Sequence, residues 1–147
     1  MNLDNTDKKI IKNLIKDARI SARQLALKIG LSAVTVLSKI KKLESEKIIK
    51  GYTVLVDHEK IGYEITAIIE IIAKKNVEEL EEKLSKIDNV CCVYDTTGST
   101  DAIIVAKFKE RDELSRFVKS LSTMANVENT ITHVVLNTAK EDFRLTR

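Results

Sequence analysis

Two stretches of this chain, residues 64–97 and 102–138, repeat one order of hydrophobic periods: strand, helix, strand. In the first, "EITAIIEIIAK" (64–74) reads as a strand, "NVEELEEKLSKI" (76–87) as a helix and "VCCVYDTT" (90–97) as a strand. In the second, "AIIVAKFK" (102–109) is the strand, "ERDELSRFVKSLSTM" (110–124) the helix and "TITHVVLNT" (130–138) the closing strand. Each helix offers one apolar stripe, Val77, Leu80, Leu84 and Ile87 in the first, Leu114, Phe117, Val118 and Leu121 in the second. A doubled β-α-β unit of this kind predicts a ferredoxin-like β-α-β-β-α-β domain, two helices covering one face of a four-stranded antiparallel sheet.

A sheet covered on one side alternates apolar and polar residues. The first strand breaks that rule. Ile65, Ala67, Ile69 and Ile71 fill one parity, yet Ile68 and Ile72 stand on the other beside Thr66 and Glu70. In the strand at 102–109, Ile103 and Val105 back Ile104, Ala106 and Phe108 in the same way. The helix-free face is therefore expected to be covered too, by a second copy of the chain.

Before Gly51 the period is helical. From Asp4, the residues Ile10, Ile11, Leu14 and Ile15 recur at helical spacing, which runs out near Asp17–Arg19. A second helix opens at the capping box "SARQ" (21–24), turns Leu25, Ala26 and Ile29 inward and stops at Gly30. Ser32 caps a third helix that reaches about Glu46. Two short helices joined by a tight glycine-containing turn make a helix-turn-helix. At 100° per residue the third helix sets Ala33, Val36, Ile40 and Leu43 on one face and Val34, Thr35, Ser38, Lys41 and Lys42 on the other.

Such a face is often merely solvated, but this one has the parts for duplex DNA. The cap at Ser32 leaves backbone N–H groups for phosphate. Thr35 and Ser38 can hydrogen-bond base edges, and Val34 suits a thymine methyl. Lys39, Lys41 and Lys42, with Lys47 and Lys50 beyond, supply charge against phosphates. The expected DNA-binding set is Ser32, Ala33, Val34, Thr35, Ser38, Lys39, Lys41 and Lys42. The predicted organisation is α+β: a helix-turn-helix domain at 1–50, a strand linker at 51–63 opening with "GYTVLVD", and the ferredoxin-like domain at 64–147.

The charge follows the same division. Residues 1–50 hold 12 Lys/Arg against 5 Asp/Glu, a balance of +7, whereas residues 51–147 hold 13 against 17, a balance of −4. A basic first third on an acidic remainder suits a nucleic-acid-facing part joined to a part with another task. No apolar run approaches the roughly 18–20 residues of a membrane span, and "MNLDNTDKKIIKNL" is unlike a secretory signal, so a cytoplasmic location without membrane contact is expected. Cys91 and Cys92 are adjacent, hence on opposite sides of a strand, and are expected as buried small hydrophobes. His58 and His133 are far from them, so no metal site and no cofactor is expected. Nor does any nucleophile–base pair or glycine-rich phosphate loop point to catalysis, and the chain does not read as an enzyme.

The segments "LDNTDKKII", "DARISARQLA", "GLSAVTVLSKIKKLE", "IIKGYTVLVD", "TGSTDAIIV" and "TITHVVL" stand in an order and spacing that resemble the Lrp/AsnC (feast/famine) family of bacterial and archaeal transcription regulators over nearly the full length. The resemblance implies an N-terminal helix-turn-helix, a strand linker and a RAM-type ferredoxin-like domain that dimerises and often assembles further, commonly to tetramers or octamers. It also implies that an amino acid or related small molecule binds near the glycine–aspartate loop. Alone, "TTGSTD" (96–101) reads as a hairpin turn. Under the resemblance, Asp101 would accept an ammonium and backbone N–H groups near Gly98 a carboxylate, helped by Thr97, Ser99 and Thr100. Thr132 and His133 match the family's Thr-His pair and would border the site.

Three positions depart from the family's pattern: Lys39 replaces an arginine, Lys47 a glycine and Thr100 an aromatic residue. The expected function is a sequence-specific DNA-binding transcription regulator, a homodimer or larger, modulated by an amino acid. The alternative is an architectural DNA-compacting protein with little sequence choice and no effector. The absence of proline beside abundant isoleucine and lysine hints at a thermophilic archaeon.

Overall fold

The computed structural model describes residues 3–74 and 76–145. Reciprocal caps open the first two helices. At α1 (Asn5–Lys16), Asp4 Oδ1 accepts the Asp7 N–H at 2.7 Å while the Asp7 carboxylate accepts the Asp4 N–H at 3.1 Å. At α2 (Ala22–Ile29), Ser21 and Gln24 exchange the same two bonds, both at 3.2 Å. Gly30 ends α2 at φ +72°, a backbone angle that costs other residues a Cβ clash. Ser32 caps α3 (Ala33–Ser45) by accepting the Thr35 N–H at 3.0 Å. One buried cluster, Ile10, Leu25, Ala26, Val36 and Leu43, holds the three helices together.

The far end of α3 closes by a Schellman motif. The Lys47 N–H donates to the Glu44 carbonyl and the Ile48 N–H to the Leu43 carbonyl, both at 2.9 Å. This geometry needs a left-handed residue after the cap, and Lys47 supplies it at φ +55°. The departure from glycine is therefore strained rather than accommodated by a different ending.

Past Gly51 the expected strand linker is not a strand in the single chain. Residues 51–57 join no ladder, and 58–63 contain a 3-10 turn, Glu59–Ile61, closed by Gly62 at φ +92°. The alternating pattern of Tyr52, Val54 and Val56 is real, but a strand requires a hydrogen-bonded partner, and these three side chains are left exposed.

The doubled unit folds as its pattern predicts. β1 (Ile65–Ala73), α4 (Val77–Leu84), β2 (Val90–Asp95), β3 (Ala102–Phe108), α5 (Arg111–Ser122) and β4 (Val127–Val134) follow in order. The sheet runs β2-β3-β1-β4 with every neighbouring pair antiparallel. β4 starts at Val127 rather than 130 and ends at Val134 rather than 138, because its extent is set by β1, against which Ala73 meets Val127 and Ala67 meets Val134. Ala67, Ile69, Ile71, Ile104, Ala106 and Phe108 form the covered face and pack with Leu80, Leu84 and Leu121 of the helices. On the other face Ile68 stands between His133 and Val105, and Glu70 between Ile131 and Ile103. Ile68 and Ile131 stay 37% and 43% exposed there, so this face is apolar and open in the single chain.

The cysteines do not behave as expected. Cys91 is exposed and Cys92 half-buried. Register moves from Val90 opposite Ala106 to Cys92 opposite Val105, so Cys91 is the extra residue of a bulge on an edge strand. The chain divides into two compact units whose bounds differ from the predicted ones. One runs up to Leu55 and includes the stretch from Lys140 onward; the other is Val56–Ala139. No helix among the described residues is long and apolar enough to cross a membrane.

Candidate nucleic-acid interface and loop site

All five residues that the wheel turns outward on α3, Val34, Thr35, Ser38, Lys41 and Lys42, are exposed. Ala33 sits at the amino end but packs against the buried cluster, so its side chain faces inward. The Thr35 hydroxyl lies 2.8 Å from Ser32 Oγ, which also takes the Thr35 N–H; both hydroxyls are engaged in the cap. Lys39 points the other way. Its Nζ donates to Asp4 Oδ2 at 2.6 Å and to Asp7 Oδ1 at 2.8 Å, and the side chains of Lys39 and Asp7 are 25% and 11% exposed. Its ammonium, with the Asp7 N–H, holds the Asp4 carboxyl down to about 2, and the two carboxylates raise Lys39 in return. Lys39 thus ties α3 to the start of α1.

Ser38, Lys41 and Lys42 are all exposed. Lys42 lies 3.9 Å from Glu46, a loose helix-surface pair, while Ser38 and Lys41 have no side-chain partner among the described residues. Val34 is 77% exposed. Leu37, absent from the sequence-based set, is 48% exposed beside it. At 100° per residue Leu37 falls next to Lys41, a signal the two-face division of the helix passed over.

The loop between β2 and β3 is built as a tight turn. Gly98 takes φ +124°, open only to glycine at ordinary cost. The Thr96 N–H donates to the Asp101 carbonyl at 3.0 Å, and Thr96 Oγ1 to the Thr100 carbonyl at 3.0 Å. Asp101 ties the loop to β1: its N–H donates to the Ile71 carbonyl at 2.9 Å, and its Oδ2 accepts the Ala73 N–H at 2.7 Å. That N–H sits where β1 shifts register against β4, between Ile72 and Ala73, so the carboxylate serves a backbone donor at an irregularity. Thr97, Gly98 and Ser99 are exposed at the tip, whereas Thr100 is buried. Beside the loop's entry, Asp95, Asn76, Val77, Glu78 and Glu79 line a shallow cavity of about 510 Å³.

The structure does not bring Thr132 and His133 together with this loop. They lie on β4 opposite Ile69 and Ile68, with β1 between them and β3. They also face opposite ways: Thr132 shares the helix-covered side with Ile69, while His133 stands on the open side with its Nε2 2.9 Å from Glu70 Oε1. Adjacent strand residues cannot border one pocket from the same face. Among the described residues no cluster of three His, Cys, Asp or Glu could hold a metal ion.

Comparison with known proteins accords with both units. The model of the AsnC-type helix-turn-helix domain matches residues 3–44, and that of the Lrp/AsnC ligand binding domain matches residues 66–145. An uncharacterized HTH-type transcriptional regulator of Pyrococcus furiosus is 47% identical over 146 residues, covering 99% of each chain. Among solved structures, a transcriptional regulator of Neisseria meningitidis in complex with L-Met superposes with a TM-score of 0.88 at 27% identity, covering 98% of this chain and 96% of that one. AsnC of Escherichia coli gives 0.85 at 27% identity, with 97% of each chain covered. With two family domains in the expected order and a near-full-length relative, the chain belongs to the Lrp/AsnC family of helix-turn-helix transcription regulators.

Proposed function

We propose that this regulator binds duplex DNA sequence-specifically as a dimer or larger assembly in the cytoplasm, setting the outward side of α3 in the major groove, and that an amino acid at the β2–β3 loop modulates it. One observation supports the DNA reading above the others: Ser38 and Lys41 are exposed and have no side-chain partner among the described residues, although Thr35 and Lys39 close by make hydrogen bonds within the helical unit. Val34, Ser38, Lys41 and Lys42 are then the contact residues, with the N–H groups of the Ser32-capped end facing phosphate. The effector set contracts to Thr97, Gly98, Ser99 and the Asp101 oxygen not taken by Ala73. It draws support from the L-Met complex of the Neisseria meningitidis neighbour. The acidic cavity entered at Asp95 suits an ammonium approaching that loop.

The architectural alternative has one observation in its favour: with the Thr35 hydroxyl bonded to Ser32 Oγ, Ser38 is the one expected base-edge reader without a side-chain partner among the described residues. Selection of bound duplexes from random DNA, with and without pooled amino acids, separates the two. A selected site held about 10³-fold or more tighter than random duplex at the same salt is the expected result. A ratio of only a few, unaffected by any amino acid, belongs to a compacting protein. A folded dimer with no salt-sensitive retention on any duplex rules out both.

A further inference from the structure

Half of the exposed residues in the first two turns of α3 are apolar, and no packing among the described residues accounts for that. Val34 and Leu37 are 77% and 48% exposed, and neither belongs to the buried cluster of the helical unit nor packs against it. Lone exposed apolar residues are ordinary. These two are neither lone nor arbitrarily placed. They stand three residues apart on one helix, so their side chains are neighbours. They also occupy its amino-terminal turns, the part of a recognition helix that reaches base edges. Of the polar groups beside them, Lys39 is drawn onto Asp4 and Asp7, and the exposed Thr35 hydroxyl shares a hydrogen bond with Ser32 Oγ.

The major groove offers one apolar group, the thymine C5-methyl. We infer that Val34 and Leu37 form a two-residue apolar step that reads thymine methyls, which makes Leu37 a specificity-determining residue alongside Ser38. Val34 is β-branched and nearly fixed at χ1, a rigid probe that loses little entropy on contact. Cβ atoms about 5–6 Å apart reach neighbouring base pairs stacked roughly 3.4 Å apart. Specificity then comes from A·T steps placed under the helix rather than from a polar code.

The inference rests on the DNA-binding reading above, and its test uses the full chain on the tightest duplex selected from random DNA. Each thymine is replaced in turn by deoxyuridine, which keeps every hydrogen-bonding group and removes only the methyl. At one or two positions per half-site, affinity is expected to fall about fourfold per methyl, or about fifteenfold when both half-sites are changed. Leu37→Ala, with Leu37→Gln as a second variant of similar length, should bind the thymine and uracil forms of its own position alike. Val34→Ala should do so at the neighbouring position, while Ser38→Ala keeps the methyl preference. Uracil duplexes bound as tightly as the parent at every position would overturn the inference, a result the unaltered protein delivers without any variant. A preference that survives in all three Val34 and Leu37 variants overturns it too. Failure to retain any duplex is a different result, and it removes the DNA-binding reading beneath.

Discussion

Lys47 carries a backbone angle of φ +55° in order to close α3, and its side chain gains nothing visible from it. A left-handed residue with a Cβ costs roughly 1–2 kcal/mol, while glycine loses about 0.5–1 kcal/mol more entropy on folding. Lys47→Gly should therefore raise stability by up to about 1 kcal/mol, read as a higher denaturant midpoint at unchanged slope. Lys39 makes the opposite case, since its long-range partners Asp4 and Asp7 make it structural. Asp4 is held at about 2 against an ordinary 3.8. A depressed carboxylate contributes stability that is in place above its unfolded value and is lost as pH falls through the folded one. The melting-temperature gap between the parent and Lys39→Met should thus be full at neutral pH and close between about pH 4 and pH 2. A gap of equal size at pH 2 would show that the Asp4 pairing is not its source. The sequence places Lys39 on a helix flank but says nothing of two carboxylates more than thirty residues upstream, which is why it reads as a DNA contact there.

Local chemistry made most elements readable. The capping box at Ser21 and the Ser32 cap fix the starts of α2 and α3, and a doubled periodicity fixes the order of the sheet unit. What escaped the sequence depends on pairing. The ends of β4 follow β1, the bulge at Cys91 follows the register of β2 against β3, and residues 51–57 lack a ladder partner in the single chain. The loop site was half legible for the same reason. Gly98 and Asp101 stand where the pattern put them, but only the pairing register shows His133 turned to the open face beside Glu70. Asp101 in turn combines its bond from the Ala73 N–H with the proposed capture of an ammonium, and a single substitution can confound the two. Asp101→Ala removes the acceptor of the Ala73 N–H and should cost about 1–3 kcal/mol of stability. Asp101→Asn keeps an acceptor oxygen there while discarding the charge an ammonium needs. Its melting temperature should stay near the parent's while amino-acid affinity, measured by calorimetry, drops at least tenfold. An Asn variant that binds the effector as well as the parent would confine Asp101 to the backbone.

For the molecule as a whole, we propose that the open sheet face pairs two copies and so sets how many α3 helices act together. Ile68, Ile103, Val105 and Ile131 lie on it around the Glu70–His133 pair, and a second copy offering the same residues is a self-complementary cover. The pair then orients the two copies, since burying Glu70 away from His133 would strand a charge. The basic first third and acidic remainder fit this arrangement, with association assigned to the part that does not need phosphate. On the proposed reading each copy offers the exposed Lys41 and Lys42 to phosphates. Two copies neutralise about four phosphates, so the logarithm of the binding constant should fall with the logarithm of salt at a slope near −3.6. Ile68→Lys sets like charges against each other across the two-fold axis. It should yield a folded monomer by sedimentation whose salt slope halves to about −1.8 and whose preference for paired half-sites disappears, because one recognition helix cannot sense the distance to another. A charged Ile68→Lys protein that still sediments as the dimer, with the parent's slope, would move the interface off this face and leave its exposed isoleucines without a partner.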